Sequence, residues 1–177
     1  AGLRARLDAL GYQLDKDEID TAFQVFKELA DRKREVTDAD LEALMSDQRR
    51  IKSEDVMFTL EQVQVSCGDH EIPTATVRLT NSEGDTITDA ATGTGPVDAV
   101  YQAINRVVQV PNTLTEFRVD AVTEGVDSIG DVIIRIQKDG NTYVGRGSDT
   151  DIIVASAKAY MNALNRLLAI ERSQLDK

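Results

Sequence analysis

The stretch DVIIRIQKDGNTYVGRGSDTDIIVASAKAYMNALNRLLAI, residues 131–170, contains two strand patterns followed by one long helical pattern. The segments DVIIRIQ and TYVGRG are short and rich in β-branched and aromatic residues, and KDGN between them is typical of a tight hairpin turn. From about Asp151 to Ile170, apolar residues recur at helical spacing. The stretch therefore predicts a β-hairpin that leads directly into a helix.

The same order of patterns occurs once before in the chain. Apolar and polar residues alternate over 62–66 and again over 74–79, which predicts two strands. The turn residues NSEGD, 81–85, precede a third strand pattern, DTITDAAT, and GTGP then precedes a helical pattern that begins near Pro96. In the second half, LTEFRVDAVTEG supplies the strand that comes before the hairpin. Both halves thus predict three strands followed by one helix.

Glycines mark corresponding points in the two halves. The hairpin glycines Gly84 and Gly140 lie 56 residues apart, and the glycine pairs of GTGP and GRGS, which begin at Gly93 and Gly145, lie 52 residues apart. Repeated spacing of this kind indicates an internal duplication.

The predicted fold is therefore α+β, a duplicated βββα unit with repeats at about 58–111 and 112–172. Each repeat has one sheet and one helix, so packing the two together buries both apolar faces in one core. Apolar residues go most of the way around the helix that follows Asp151, and such a helix needs cover on more than one face. We expect it to be sandwiched within the monomer or to contribute to the contact of a homodimer.

The residues before this duplicated unit have a different pattern. Residues 1–50 contain only helical signals, and the polar run around 51–57 separates them from the strands. We predict a small helical subdomain at 1–50, a linker at 51–57 and the duplicated domain at 58–177. About 50 residues bury little surface, so the helical segment is expected to need packing against a larger domain for stability.

Capping signals divide the N-terminal segment into three short helices. The first is expected to end at Gly11, and the pairs Asp15/Glu18 and Thr37/Asp40 are typical of the starts of the next two. The second helix carries an apolar stripe of Ile19, Ala22, Phe23, Phe26, Leu29 and Ala30. The third carries Leu41, Leu44 and Met45.

Composition and charge exclude several classes of function. The chain has 41% hydrophobic and 29% charged residues and a net charge of −11, which opposes binding to nucleic acid or to anionic lipid. We expect no membrane span and no signal peptide, because charges interrupt the apolar stretches. With one cysteine, Cys67, and one histidine, His70, the chain can form no internal disulfide and has no Cys/His metal cluster. A cytoplasmic location is the expectation.

No catalytic motif is visible. His70 lies in the turn-like CGDHEIP without an adjacent nucleophile, and the acidic residues mostly lie at helix starts and turns, where they act as caps. We therefore predict no catalytic and no metal-binding residue, although a pair of carboxylates acting as acid and base is an alternative that the sequence leaves open.

The two glycine pairs are the more informative sites. We expect GTGP and GRGSDTD each to end a strand and open a helix, so that N–H groups at two helix starts can receive a carboxylate or phosphate. Neither has the Gly-Lys-Ser/Thr ending of a P-loop. In a duplicated fold, two positive helix ends beside an apolar lining would form a site suited to an amino acid, with its carboxylate at a helix end and its side chain against the lining.

At these glycines the sequence resembles a known family. GTGPVDAVYQAI, 93–104, and GRGSDTDIIVASAKAYMNALNRLL, 145–168, resemble two signature stretches of the regulatory domain of 2-isopropylmalate synthases. FRVDAVTEGVDSIGDVIIRI, 117–136, fits the same family, and GYQLDKDEIDTAFQVFKELADRKREVTDADLEALM is similar to its helical accessory subdomain. The resemblance covers nearly the whole chain.

The resemblance implies a parent enzyme that condenses acetyl-CoA with 2-oxoisovalerate in a TIM barrel that uses a divalent metal. No run of eight βα units is visible here, so the catalytic and metal residues are expected upstream, with no cofactor in this fragment. The expected partners are L-leucine, bound as feedback inhibitor, a second copy of the chain, and the catalytic barrel.

The resemblance also implies a set of leucine-binding residues, which come from the first glycine turn, the first strand of the second repeat and the last helix. They are Gly95, Val97, Leu114, Phe117, Val119, Ala121, Ser128 and Ile152. Strand alternation supports part of the set, because Phe117, Val119 and Ala121 face the same side. The family often has Tyr at the position of Phe117, so a polar contact through that hydroxyl is absent here.

Besides catalysis by a pair of carboxylates, two alternative functions remain open from the sequence. One is the similar regulatory domain of a citramalate synthase, which senses isoleucine and differs in the position of one methyl group. The other is a structural dimerisation module without a ligand.

Overall fold

A computed structural model describes residues 2–9, 15–32, 35–38, 41, 56–121 and 128–175 of the chain. Among them are two N-terminal helices, α1 (Gly2–Ala9) and α2 (Lys16–Arg32). Asp15 caps α2 as predicted, because its Oδ1 accepts a hydrogen bond from the Glu18 backbone N–H at 2.8 Å. The predicted stop at Gly11 and most of the third predicted helix lie outside the described residues.

The N-terminal helices have a small core of their own. Leu7, Ala22 and Leu41 are buried against one another, with Ile19 and Phe26 packed beside them. Three members of the predicted stripe do not belong to this core, since Leu29 is buried against Ile129 instead, Ala30 is exposed and Phe23 is 51% exposed. The stripe is narrower than predicted because the buried and partly buried positions run through 19, 22, 26 and 29, and positions 23 and 30 lie to the side of this line.

The first repeat contains strands β1 (Phe58–Ser66), β2 (Thr74–Asn81) and β3 (Thr86–Thr92), then helix α3 (Pro96–Val108). The strands form an antiparallel sheet in the order β1-β2-β3. Ala75, Val77 and Leu79, which alternate with polar residues in the sequence, are fully buried on the face that meets α3. The predicted alternation is confirmed.

The second repeat has the same order of elements. Strands β4 (Thr113–Ala121), β5 (Gly130–Lys138) and β6 (Asn141–Asp149) form a second antiparallel sheet, followed by helix α4 (Ile152–Leu175). Asp139 and Gly140 connect β5 to β6 with φ of 52° and 80°. Left-handed backbone at both positions is typical of a type I′ hairpin, as the KDGN signal predicted.

Both helices lie between the two sheets and share one core. Helix α3 contacts all three strands of the first sheet, whereas α4 contacts β5, β6 and also β1 of the other sheet. Asn165 of α4 joins the two repeats, because its side-chain amide donates to the Phe58 carbonyl at 2.9 Å and accepts from the Phe58 N–H at 3.0 Å. The α+β fold with a duplicated βββα unit is confirmed, and α4 is sandwiched within the monomer.

The glycines of GRGS have a different role from the one predicted. Gly145 and Gly147 lie inside β6 rather than in the turn before α4. A Cβ on Gly145 would come within 2.1 Å of the Ala159 carbonyl oxygen, and a Cβ on Gly147 within 2.2 Å of the Ala155 carbonyl oxygen. These glycines therefore let α4 pack directly on the strand, and the structural repeat follows the 56-residue spacing of the hairpin glycines.

Candidate ligand-binding site

The inner face of strand β4 carries apolar side chains that the rest of the chain leaves partly uncovered. Leu114, Phe117 and Val119 are 38%, 40% and 38% exposed. Their cross-strand partners on β5, which are Ile136, Ile134 and Val132, are fully buried. β4 is an edge strand, and α4 packs on β5 and β6, so the inner face of β4 stays open.

Tyr101 of α3 meets this face. Its ring lies edge-on to the Phe117 ring, with centroids 6.4 Å apart, and is tilted against the ring of Tyr160 at 4.7 Å. Val97 lies one helical turn before Tyr101 on the same side of α3. The structure therefore brings Phe117 together with the helix face that carries Val97. Sequence reasoning missed Tyr101, because its position depends on a strand of the other repeat.

The hydroxyl groups of Tyr101 and Tyr160 differ in their hydrogen-bond partners. The Tyr160 hydroxyl donates to Asn105 Oδ1 and accepts from Asn112 Nδ2 at 3.0 Å. The Tyr101 hydroxyl is buried, and none of the described residues offers it a hydrogen-bond partner. Burial raises the pKa of the Tyr101 phenol above its ordinary value, so the hydroxyl keeps its proton and can donate.

Ile152 is the first residue of α4 and lies at the far end of the same face. A Cβ on Gly130 would stand 3.1 Å from Ile152 Cγ1, so the side chain lies over Gly130. Gly130 pairs with Ala121 of β4, which places Ile152 beside the end of that strand. Ile152 is 45% exposed.

Gly95 and Ser128 are the remaining predicted residues. Gly95 precedes α3 in extended backbone, and a Cβ placed on it would meet no atom within 4 Å, so space is open there. Ser128 is partly buried just before β5. Ser128 lies two residues before Gly130, which pairs with Ala121 at the far end of β4. From Leu114 to Ala121 the strand extends about 23 Å at 3.3 Å per residue. One amino acid is therefore too short to contact both Leu114 and Ser128 of the same protomer.

The two helix starts are not electrostatically equivalent. At α4, Asp151 Oδ1 accepts the Ile153 N–H at 2.8 Å, so a carboxylate of the protein already occupies that end. At α3, the N-cap is Gly95, which has no side-chain cap, and the nearby Asp98 carboxylate accepts the Thr94 N–H at 2.9 Å. The prediction of two open positive ends is wrong for α4, because Asp151 is a capping residue.

Cys67 and His70 lie in the segment between β1 and β2. Cys67 is an exposed free cysteine, and the His70 side chain is 93% exposed beside Asp69. Within the part of the chain that the structure describes, no group of three His, Cys, Asp or Glu side chains is placed to hold a metal ion. Over the same residues, no helix is long and apolar enough to cross a membrane.

A family model and individual relatives both relate this chain to 2-isopropylmalate synthases. A family model described as the LeuA allosteric (dimerisation) domain matches residues 35–168. The chain is 56% identical over 171 residues to a 2-isopropylmalate synthase of Crocosphaera subtropica, with 97% of this chain and 32% of that protein covered. It is 56% identical over 164 residues to a 2-isopropylmalate synthase of Gloeobacter violaceus, covering 93% of this chain and 30% of that protein. The chain spans about a third of the length of these relatives.

Proposed function

Because this chain belongs to the LeuA allosteric (dimerisation) domain family, we propose that it is the part of a 2-isopropylmalate synthase that binds L-leucine and mediates feedback inhibition. The observation that carries the proposal is the open face of β4. There, partly exposed apolar side chains lie next to a buried hydroxyl that has no partner among the described residues. An apolar hollow with a few polar groups is the usual form of a small-ligand site.

The geometry favours a particular orientation of leucine. Its isobutyl group would cover Phe117 and Val119, which are apolar and partly exposed. Its carboxylate would meet the N–H groups at the start of α3, since the start of α4 is already capped by Asp151. The Tyr101 ring contacts Phe117, and its hydroxyl, which has no partner among the described residues, would donate a hydrogen bond to the ligand.

The eight residues proposed for leucine divide into two groups by distance along β4. Phe117, Val119 and Ala121 run from the middle to the far end of β4, and Ile152 covers Gly130, the partner of Ala121. We propose that Val97, Gly95 and Ser128 contact the ligand at the same end. Leu114 lies at the other end of β4, where a second copy of the chain would cover it. We propose that the homodimer covers this end of the strand, next to the ligand.

The activity of the whole protein is part of the same proposal. The parent enzyme would condense acetyl-CoA with 2-oxoisovalerate with the help of a divalent metal, in a catalytic barrel outside this chain. Residues 1–50 would form a helical accessory subdomain and 51–57 a linker to the regulatory domain at 58–177. Leucine can inhibit a distant barrel only by binding one arrangement of these parts better than another.

Calorimetric titration of the 177-residue chain with leucine, isoleucine and valine tests the proposal. We expect saturable heat with L-leucine and weaker binding of the other two, since one displaced or missing methyl group is worth about 1–3 kcal/mol. A preference for isoleucine would instead support the citramalate synthase alternative. No heat with any of the three would support a structural dimerisation module and contradict the proposal.

An activity measurement separates the proposal from a free-standing enzyme. Incubation of the chain with acetyl-CoA, 2-oxoisovalerate and a divalent metal is expected to release no free thiol. Turnover by this chain alone would show that it carries an active site of its own.

A further inference from the structure

The last residue of β6, Asp149, has a buried carboxylate, and its side chain is 2% exposed. Asp149 pairs with Gly130, which pairs in turn with Ala121, so these three residues form one row across the second sheet. Residues that pair across antiparallel strands point to the same face. Asp149 therefore points inward, to the face that carries Phe117 and Val119.

Lys158 of α4 is an ionic partner of Asp149. Its Nζ lies 3.2 Å from Asp149 Oδ2 and donates to the Ser148 carbonyl oxygen at 3.3 Å. A Cβ placed on Gly147 would come within 2.7 Å of the Lys158 Cβ, so this glycine leaves the space in which the lysine side chain begins. The ion pair therefore fastens the second turn of α4 to the last residue of β6.

The same carboxylate holds the connection between β6 and α4. Asp149 Oδ1 accepts the Asp151 backbone N–H at 2.9 Å. Ile152 follows as the first residue of α4, and its side chain lies over Gly130, the cross-strand partner of Asp149. One buried carboxylate thus holds the turn before Ile152 and, through Lys158, the helix after it.

A second ion pair joins the same sheet to the opposite end of α4, in a different environment. Lys138 at the end of β5 pairs with Glu171, and their side chains are 24% and 34% exposed. Water reaches both groups, so either one stays solvated when the other is removed. Removal of one partner from a buried pair is more disruptive, because the charge that remains must be rehydrated or neutralised. The start of α4 is therefore the end that responds to loss of its ion pair.

We propose that Asp149 and Lys158 are positioning residues of the leucine site, which hold Ile152 in place without contacting the ligand. The inference rests on the proposed function, in which Ile152 belongs to that site. When the turn at Asp149 relaxes, Ile152 lies over Gly130 for only part of the time. The apparent dissociation constant of leucine then rises in proportion to the lost population.

Calorimetric titration of Lys158→Met with leucine tests the inference. Methionine keeps most of the side-chain length and removes the ammonium group. We expect leucine to bind about fivefold more weakly, which corresponds to correct placement of Ile152 in about a fifth of the molecules. Lys138→Met is the matched control, because it removes the same group from the ion pair with Glu171, and its leucine affinity should be unchanged. Equal weakening in the two variants would overturn the inference.

A double variant separates positioning from direct contact with the ligand. Lys158→Met combined with Asp149→Asn removes both charges, while the asparagine oxygen can still accept the Asp151 N–H. Leucine affinity should return to within about twofold of that of the unmodified chain, because no buried charge has lost its partner. If the double variant binds as weakly as Lys158→Met alone, Lys158 contacts the ligand itself and the positioning role is wrong.

Methyl NMR of the ligand-free chain gives a readout that does not depend on leucine. The Ile152 δ1-methyl signal should shift or broaden in Lys158→Met and stay unchanged in Lys138→Met. If Lys158→Met does not fold, Lys158→Gln and Lys138→Gln make the same comparison. An unchanged Ile152 signal in the Lys158 variant would overturn the inference. Failure of the unmodified chain to bind leucine would instead contradict the proposed function, and the methyl signal would still decide whether Lys158 places Ile152.

Discussion

Gly147 shows how one missing side chain sets the distance between a helix and a sheet. A Cβ at this position would lie 2.2 Å from the Ala155 carbonyl oxygen and 2.6 Å from the Ala159 N, and both are backbone atoms of α4 that cannot rotate away. Gly95 contrasts with it, since a Cβ there meets open space and its φ of −158° suits any residue.

Gly147→Ala is therefore expected to destabilise the protein by about 3 kcal/mol, because α4 must move away from β6 to admit the methyl group. Gly95→Ala should cost at most about 1 kcal/mol, since it changes only a helix N-cap. Chemical denaturation of both variants measures the difference. Equal stability of the two would mean that α4 does not pack on the strand as described.

Tyr101 and Tyr160 allow the proposed ligand contact to be separated from packing. Tyr101→Phe removes a hydroxyl that has no partner among the described residues, so stability should be unchanged or slightly higher. Leucine affinity should fall about fivefold if that hydroxyl donates to the ligand. In Tyr160→Phe, Asn105 and Asn112 lose their partner, and a loss of about 1–2 kcal/mol of stability is expected. Unchanged leucine binding in Tyr101→Phe would remove Tyr101 from the site.

Ile152 and Ile170 form a second matched pair, because both lie on α4 and are 45% and 46% exposed. Ile152→Asp should weaken leucine binding by tenfold or more, since a carboxylate would enter an apolar site and repel the ligand's own carboxylate. Ile170→Asp makes the same chemical change far from the site and should leave affinity unchanged. Calorimetry on the folded variants decides, and normal binding by Ile152→Asp would show that the pocket is elsewhere.

At the scale of elements, alternation and turn chemistry predicted most of the structure correctly. Ala75, Val77 and Leu79 are buried as the period of two required, and Asp139 with Gly140 forms the expected hairpin. These signals are local, so the sequence displays them directly. The role of the glycines of GRGS was predicted wrongly, because glycine after a strand pattern resembles a turn signal. Their actual role follows from the close packing of α4 on β6.

Substitution of Asp151 tests whether its side chain stabilises the start of α4 as a cap. Asp151→Ala should destabilise the protein by about 1 kcal/mol, whereas Asp151→Asn keeps a cap of similar strength and should be close to neutral. Thermal unfolding of both variants provides the measurement. If both lose the same stability, the charge at Asp151 matters rather than its hydrogen bond to the Ile153 N–H.

The candidate site was harder to predict than the fold, because it depends on contacts between repeats. Phe117 and Val119 were placed on one face from their spacing, and the structure agrees. Tyr101 was missed because nothing in its own neighbourhood shows that a strand of the other repeat lies opposite. The spacing of residues along a strand shows which of them share a face, whereas the elements that lie opposite that face are known only from the packed structure.

At the scale of the whole molecule, the N-terminal helices contact the second repeat next to the proposed site. Leu29 of α2 and Ile129 are both 1% exposed and pack together with Val36. Ile129 lies between Ser128 and Gly130, and the side chain of Ile152 covers Gly130. A ligand that orders this segment would therefore also stabilise the docked helix.

Leu29→Ala should break that connection. In the unmodified chain, leucine is expected to slow amide hydrogen exchange in α2, and in Leu29→Ala this protection should disappear while binding itself is retained. Phe23→Ala, also in α2 but 51% exposed, is the control and should keep the protection. Protection that persists in Leu29→Ala would show that the helical segment responds by another route.

The open edges of the two sheets differ in a way that affects solubility. On β3, Asp89 points inward opposite Val77 and pairs with Arg106 at 3.2 Å, and an inward charge of this kind discourages strand-to-strand addition. The inner face of β4 carries Phe117 and Val119 instead. Purified protein stored without a ligand should therefore aggregate through β4, so leucine in the storage buffer would act as a protectant against fibrillar association.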